Sequence, residues 1–338
     1  MIDFRSDTVT CPTDEMRQAM ADALVGDDVY GEDPTVCRLQ DSAAERFGVE
    51  SALFCSSGTQ ANLLALMTHC QRGDEYICGQ QAHNYRYEQG GAAVLGSIQP
   101  QPVENQIDGT LAIDDVECVI KPDDVHFART RLVSVENTIG GKVLPVSYLE
   151  QLRMLCDAYH LKLHIDGARL MNAVVKLNVD VSDITRHVDT FTVCLSKGLA
   201  APVGSLLFGS ADFIEQAVRL RKILGGGWRQ AGILAAAGQI ALDKMVGRLE
   251  QDHELAAYLA RRLNEIEQID VDFDSPQTNI LYARCCQRRS QELAEYLKER
   301  GILIFSGEPM RLVTHLDVDK YSVDQLIEAM KDFYKEPI

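Results

Sequence analysis

The chain has no apolar run approaching the ~18–20 residues that cross a bilayer. Its start, Met1-Ile2-Asp3-Phe4-Arg5-Ser6-Asp7, shows no charged-then-apolar leader. A cytoplasmic protein is expected rather than a secreted or membrane-embedded one. Positive charge is also scarce, since 33 Lys and Arg face 50 Asp and Glu, for a net charge of −17. Phosphate backbones and anionic lipid need a basic surface, so neither nucleic acid nor membrane is expected as a partner. A small anion can still bind where local cations outweigh the overall field. Ten cysteines include no Cys-x-x-Cys pair, and there is no His-Glu-x-x-His. Reduced thiols are therefore expected, and neither a disulfide framework nor a catalytic zinc site; no metal is assigned. Neither a P-loop nor Gly-x-Gly-x-x-Gly is present, which removes two nucleotide-binding fingerprints. Internal repeats and low-complexity segments are missing as well.

What is present is an ordinary globular composition, 46% hydrophobic and 25% charged, over 338 residues. That length corresponds to about two domains. After an N-terminal arm, Asp33-Pro34 opens a helix as cap and first residue, and Val36, Leu39, Ala43 and Phe47 line its apolar face up to Gly48. Ala52–Cys55 reads as a buried strand, followed by a turn of small residues and a helix from Ala61. Glu75–Cys78, Leu132–Val135, Leu161–Ile165, Thr190–Cys194 and Val203–Gly209 read as further strands. Ser147 and Glu150 have capping-box spacing before a helix, as do Ser322 and Gln325. One long helical stretch runs from about Gln230 to Asn264. The alternation predicts an α/β fold with a mostly parallel sheet over residues 1–247 and a small α+β domain over 248–338. Ligands in such sheets sit beyond the carboxyl ends of the strands.

Two apolar runs end in polar residues at that edge, His164-Ile165-Asp166 and Leu195-Ser196-Lys197. A lysine can condense with an aldehyde, and a carboxylate can keep a pyridine nitrogen protonated. Pyridoxal phosphate needs both. Alone, Asp166 reads as an Asp-Gly turn residue and Lys197 as a solvated edge lysine; the pair favours chemistry. The small neighbours Ser196 and Gly198 would let a cofactor approach. Ser56-Ser57-Gly58-Thr59 at a strand-to-helix turn is a phosphate cradle or merely a capped helix start. His83 follows a strand and is either a ring-stacking, proton-moving residue or a solvated one. His126 carries less information. Ser6, Arg169 and Arg311 would hold a carboxylate only if folding unites them.

Taken together, these motifs resemble the low-specificity L-threonine aldolases, a pyridoxal-phosphate family with an aminotransferase-like (fold-type I, transferase-like) architecture. The resemblance runs through Ile2–Thr10, Asp28–Thr35, Ser56–Asn62, Glu136-Asn137-Thr138 with Gly140-Gly141, His164–Arg169, Ser196-Lys197-Gly198 and Gly225–Gln230. It implies a lyase of amino-acid metabolism that cleaves L-threonine and L-allo-threonine reversibly to glycine and acetaldehyde. Lys197 would hold the cofactor as a Schiff base, Asp166 would meet its ring nitrogen, and Gly58 and Thr59 its phosphate. His83 would stack on the ring, with Arg169 near ring and substrate. Ser6, Arg169 and Arg311 would grip the substrate carboxylate, and His83 or His126 would take the hydroxyl proton unless a water does. A homodimer or homotetramer is implied, with active sites at subunit interfaces and the Tyr30 and Lys222–Arg229 regions serving a neighbour. The alternatives are another pyridoxal-phosphate lyase or aminotransferase of a small amino acid, and a non-catalytic relative.

Overall fold

A computed structural model describes residues 1–271, 276–286 and 289–335. The first strand, β1 (Ile2–Asp3), is a short arm. It is followed by β2 (Ser51–Cys55), β3 (Glu75–Gly79), β4 (Gln99–Val103), β5 (Thr130–Glu136), β6 (Lys162–Asp166), β7 (Thr190–Cys194) and β8 (Ser205–Gly209). Strands β2 to β8 form one seven-stranded sheet in the order β2-β8-β7-β6-β5-β3-β4. Only β8 runs against the others, pairing antiparallel with both β2 and β7. The carboxyl ends of the remaining six strands therefore share one edge.

The strands form where apolar residues run continuously, and β3, β7 and β8 are buried along their whole length. Helices cover both faces, as a parallel sheet requires. On one face lies the helix Pro34–Phe47, whose Val36, Leu39, Ala43 and Phe47 are buried. Phe191 and Phe208 stack on neighbouring strands with ring centroids 4.6 Å apart, and Phe47 meets Phe208 at 4.7 Å. Each such ring contributes about 1.5–3 kcal/mol relative to exposure. The helix Gly58–His69 covers the other face, where Leu64 meets Leu53, Leu207 and Phe213 in a separate cluster.

The C-terminal part has its own antiparallel sheet, formed by β9 (Ile269–Val271), β10 (Ile280–Cys285) and β12 (Met310–Val313). Between them β11 (Ile302–Leu303) pairs parallel with β1. A second hydrophobic cluster gathers Leu255 to Phe333 and takes in Phe4. Residues 2–4, read with the first domain, thus pack on the second, while 336–338 lie outside the described residues.

Three local readings need correcting. The stretch from Gln230 to Asn264 is two helices, Gly232–Ile240 and Leu249–Leu263, separated by a π-turn at Ala241–Met245 and a break at 246–248. Ser147 lies inside the helix Val146–Ala158, because Pro145 takes the capping position. Ser322 lies inside the helix Lys320–Lys335, and Asp319 accepts its backbone N–H at 2.8 Å. All ten cysteines are free thiols, as expected.

Candidate active site

Three polar residues stand at or just beyond the carboxyl ends of the adjacent strands β5, β6 and β7. β6 ends in Asp166 and β5 in Glu136, and the two are paired across the ladder, so their side chains leave the same face. Lys197 follows β7 on a loop closed by Ala201 N–H to Leu195 C=O at 3.0 Å and Ala200 N–H to Lys197 C=O at 2.8 Å. Ala200 adopts a left-handed φ of 61° in that loop. Strain of this kind needs support from its surroundings, and Ala200 is fully buried. Gly198 is small for packing rather than for cofactor approach, since an added Cβ would lie 2.9 Å from Leu249. Gly167 follows Asp166 because a Cβ there would collide with the Thr192 carbonyl at 1.9 Å.

Asp166 is buried. Its Oδ1 accepts from Ala168 N–H at 3.0 Å, and its Oδ2 accepts from Asn62 Nδ2 at 2.7 Å. Asn62 stands one turn into the helix Gly58–His69 and donates from the same nitrogen to Glu88 Oε1 at 3.0 Å. Glu88 Oε1 in turn meets His83 Nδ1 at 2.8 Å. His83 is held a second time, its backbone N–H donating to Glu136 Oε2 at 2.9 Å. Burial and the nearby Asp166 push the Glu136 carboxyl up to about 7. The hydrogen bond to Glu88 raises the His83 imidazole above its ordinary value, against the opposing effect of burial. Ligand atoms of His83, Glu88 and Asp166 come within 4.8 Å of one another. The Asn62 amide already bridges the two carboxylates, so the group is a hydrogen-bonded chain and no metal is assigned to it.

The turn after β2 starts the helix Gly58–His69, with Ser57 Oγ accepting from Gln60 N–H at 3.1 Å. At Gly58 an added Cβ would meet nothing within 4 Å, which leaves an open hollow at the helix N-terminus. First-turn N–H groups and the helix dipole favour an anion there. Two buried amide atoms nearby have no partner among the described residues, Asn62 Oδ1 and Asn137 Nδ2. Open hollow, carboxylate, lysine and orphaned amides fit the phosphorylated pyridine aldehyde expected from the sequence.

The carboxylate-binding set is partly united. Arg169 grips Asp7 with Nε at 2.8 Å and Nη2 at 2.5 Å; Asp7 is fully buried and the Arg169 side chain is 10% exposed. Burial alone would raise Asp7, but Arg169, Lys197 and Asn279 hold it at about 2. Arg169 thus has Nη1 left for a ligand. Arg311 on β12 lies opposite Tyr282 on β10 and donates to Arg5 C=O at 3.1 Å. It has no ion-pair partner among the described residues; burial and the neighbouring Arg169 charge lower its pKa. Ser6 Oγ accepts from Thr8 N–H at 3.3 Å and keeps its own proton to donate.

His126 is the exception. It precedes β5 at the opposite end of the sheet, on the order of 20 Å from Glu136 at ~3.3 Å per residue. Its side chain is 80% exposed and its Nδ1 meets Asp124 at 2.6 Å. Within one chain it does not join His83. Asp7, Asn62, Glu88 and Glu136 escaped the sequence reading. Asn62 left a signal, a lone amide among Ala61, Leu63, Leu64 and Ala65. Glu136 opens a motif already noted, but nothing in spacing ties Asp7 to Arg169.

Comparison with known proteins adds four findings. A profile of the beta-eliminating lyase family matches residues 3–286. The low specificity L-threonine aldolase of Escherichia coli K12 is 55% identical over 329 residues, 97% of each chain. Low-specificity L-threonine aldolase 1 of Arabidopsis thaliana is 43% identical, over 98% of this chain and 95% of its own. A solved structure of Leishmania major threonine aldolase superposes with a TM-score of 0.85 at 21% identity, covering 98% of this chain and 99% of that one, and shares the fold.

Proposed function

Because this chain belongs to the low-specificity L-threonine aldolases, within the beta-eliminating lyase family, we propose that it cleaves L-threonine and L-allo-threonine reversibly to glycine and acetaldehyde with pyridoxal phosphate as cofactor. The observation that carries this reading is the convergence of Lys197, Asp166 and the Gly58 hollow on one sheet edge, beside an Arg311 with no ion-pair partner among the described residues. Bound there, the cofactor supplies an electron sink for the pair released when the Cα–Cβ bond breaks.

The chain's own residues supply the rest. Lys197 would hold the cofactor aldehyde by its amine, and Asp166, fixed by Asn62 and Ala168, would keep the ring nitrogen protonated. Gly58 and Thr59 would offer backbone N–H groups to the phosphate, and His83 would pack against the ring. Arg311, with Arg169 Nη1 and the Ser6 hydroxyl, would bind the substrate carboxylate and so orient the Cα–Cβ bond for cleavage. That orientation selects Cα–Cβ cleavage over loss of the Cα proton. His83 is the histidine of this chain placed to take the hydroxyl proton; His126 has a role only if a second copy carries it in.

A homodimer or homotetramer accords with the surface beside the site. Leu24, Tyr30 and Ile223 are 68%, 73% and 74% exposed. Their segments are tied together by Arg221 to Asp28 at 2.8 Å and Arg229 to Asp27 at 3.0 Å. No helix among the described residues is long and apolar enough to cross a membrane, and we assign the enzyme to the cytoplasm. Lys197→Ala is expected to fold, to lose the visible band of covalently held cofactor, and to lose activity by several orders of magnitude. Turnover near wild type in that variant would overturn the assignment.

A further inference from the structure

The chain of hydrogen bonds from His83 to Asp166 does more than fill space, and its chemistry determines which nitrogen of His83 carries the proton. Glu88 is buried, and its Oε1 lies 2.8 Å from His83 Nδ1 and 3.0 Å from Asn62 Nδ2. An ionised carboxylate only accepts, so Nδ1 must be the protonated nitrogen and Nε2 carries the lone pair. Asn62 uses the same nitrogen to reach Asp166 at 2.7 Å, which leaves the two carboxylates bound to one amide.

We propose that Glu88 is a positioning residue: it fixes the plane and tautomer of His83, and through Asn62 it couples that histidine to the carboxylate that meets the cofactor's ring nitrogen. The inference rests on the aldolase reading only for what His83 faces; the tautomer belongs to the protein alone. Three features support it. His83 is clamped twice, by Glu88 at the ring and by Glu136 at the backbone N–H, so its side chain has little freedom to turn. Its side chain is 42% exposed and lies beside Tyr87, with ring centroids 5.6 Å apart. The charged groups around the imidazole are Glu88, Asp166, Glu136 and Lys197, and Glu88 is the one bonded to the ring. A neutral His83 in this arrangement has Nε2 as its proton acceptor, and a protonated one is stabilised by Glu88. Asn62 Oδ1 has no partner among the described residues, so the amide is held by the two acceptors at its Nδ2.

The test is nitrogen NMR of the full-length protein labelled with 15N-histidine, with and without pyridoxal phosphate, using His83→Gln to assign the signal. The neutral form of His83 is expected to be the Nδ1–H tautomer, and Glu88→Gln is expected to lower its titration midpoint by about one pH unit. In the same variant the pH titration of the cofactor absorption band is expected to shift, while Glu88→Asp restores part of both effects. A merely structural Glu88 would lower thermal stability and leave midpoint and band in place. An Nε2–H tautomer in the wild-type protein, or an unmoved midpoint in Glu88→Gln, overturns the proposal. The wild-type tautomer is readable even if the variants do not fold. It is also independent of the aldolase reading, which fails instead if wild-type protein releases no acetaldehyde from threonine.

Discussion

Arg169 and Arg311 differ in how far each is already engaged. Arg169 is committed to Asp7 by two hydrogen bonds, whereas Arg311 has no ion-pair partner among the described residues. A substrate carboxylate should therefore depend most on Arg311. Arg311→Leu is expected to raise KM for threonine about ten- to a hundredfold, the loss of one or two charged hydrogen bonds. Unchanged KM would move the carboxylate elsewhere. Lys197 and Asp166 stood out as candidates in the sequence because each follows an apolar strand pattern, and Gly58 because it sits in a turn of small residues between strand and helix. Asp7 was not, since its meaning lies in a contact 162 residues away. His126 was placed by resemblance, and the direction of β5 carries it to the other end of the sheet.

At the scale of elements, Asp33 joins three of them. Its Oδ1 accepts from Thr35 and Val36 N–H at 3.1 and 3.0 Å, capping the helix Pro34–Phe47. Its Oδ2 accepts from Gly26 N–H at 3.2 Å and Gly232 N–H at 2.8 Å. Asp33→Ala leaves buried donors unpaired and should destabilise by about 3 kcal/mol, more than an ordinary cap. Asp33→Asn should retain part of that, and chemical denaturation of both variants measures the difference. The cap itself was readable from Asp-Pro followed by an apolar face; the two further acceptances were not. Capping-box spacing misled at Ser147 and Ser322 because Pro145 and Asp319 lie upstream and start those helices first. The break at 246–248 was hidden because buried residues continue on both sides of it, from Met245 to Leu249.

At the scale of the whole molecule, burial of histidines ties stability to pH. Burial lowers His69 and His253 to about 4 and His164 to about 3, from an ordinary 6.5. Each folded-state value lies below the unfolded one, so the unfolded chain binds the extra protons. Stability is then full above about 6.5 and falls as pH drops toward 4, by up to about 1.4 kcal/mol per pH unit for each group. Asp7 adds to the loss only as pH falls below about 4, through its own value of about 2. The Glu136 carboxyl, raised to about 7, works the other way between about 7 and 4.5, but one such group is outweighed by three histidines once they titrate. Denaturation midpoints should therefore decline between about pH 6 and 4.5, and a flat profile there would contradict the buried neutral state. The alternating architecture was visible in the sequence because periodicity reports it. How the arm packs was not, since pairing of β1 with β11 joins residues some 300 positions apart.

Product analysis of the purified protein with pyridoxal phosphate tests the reaction itself. Supplied with L-threonine or L-allo-threonine, it is expected to release acetaldehyde and glycine in equal amounts from both. Ammonia or a keto acid without acetaldehyde would contradict the account.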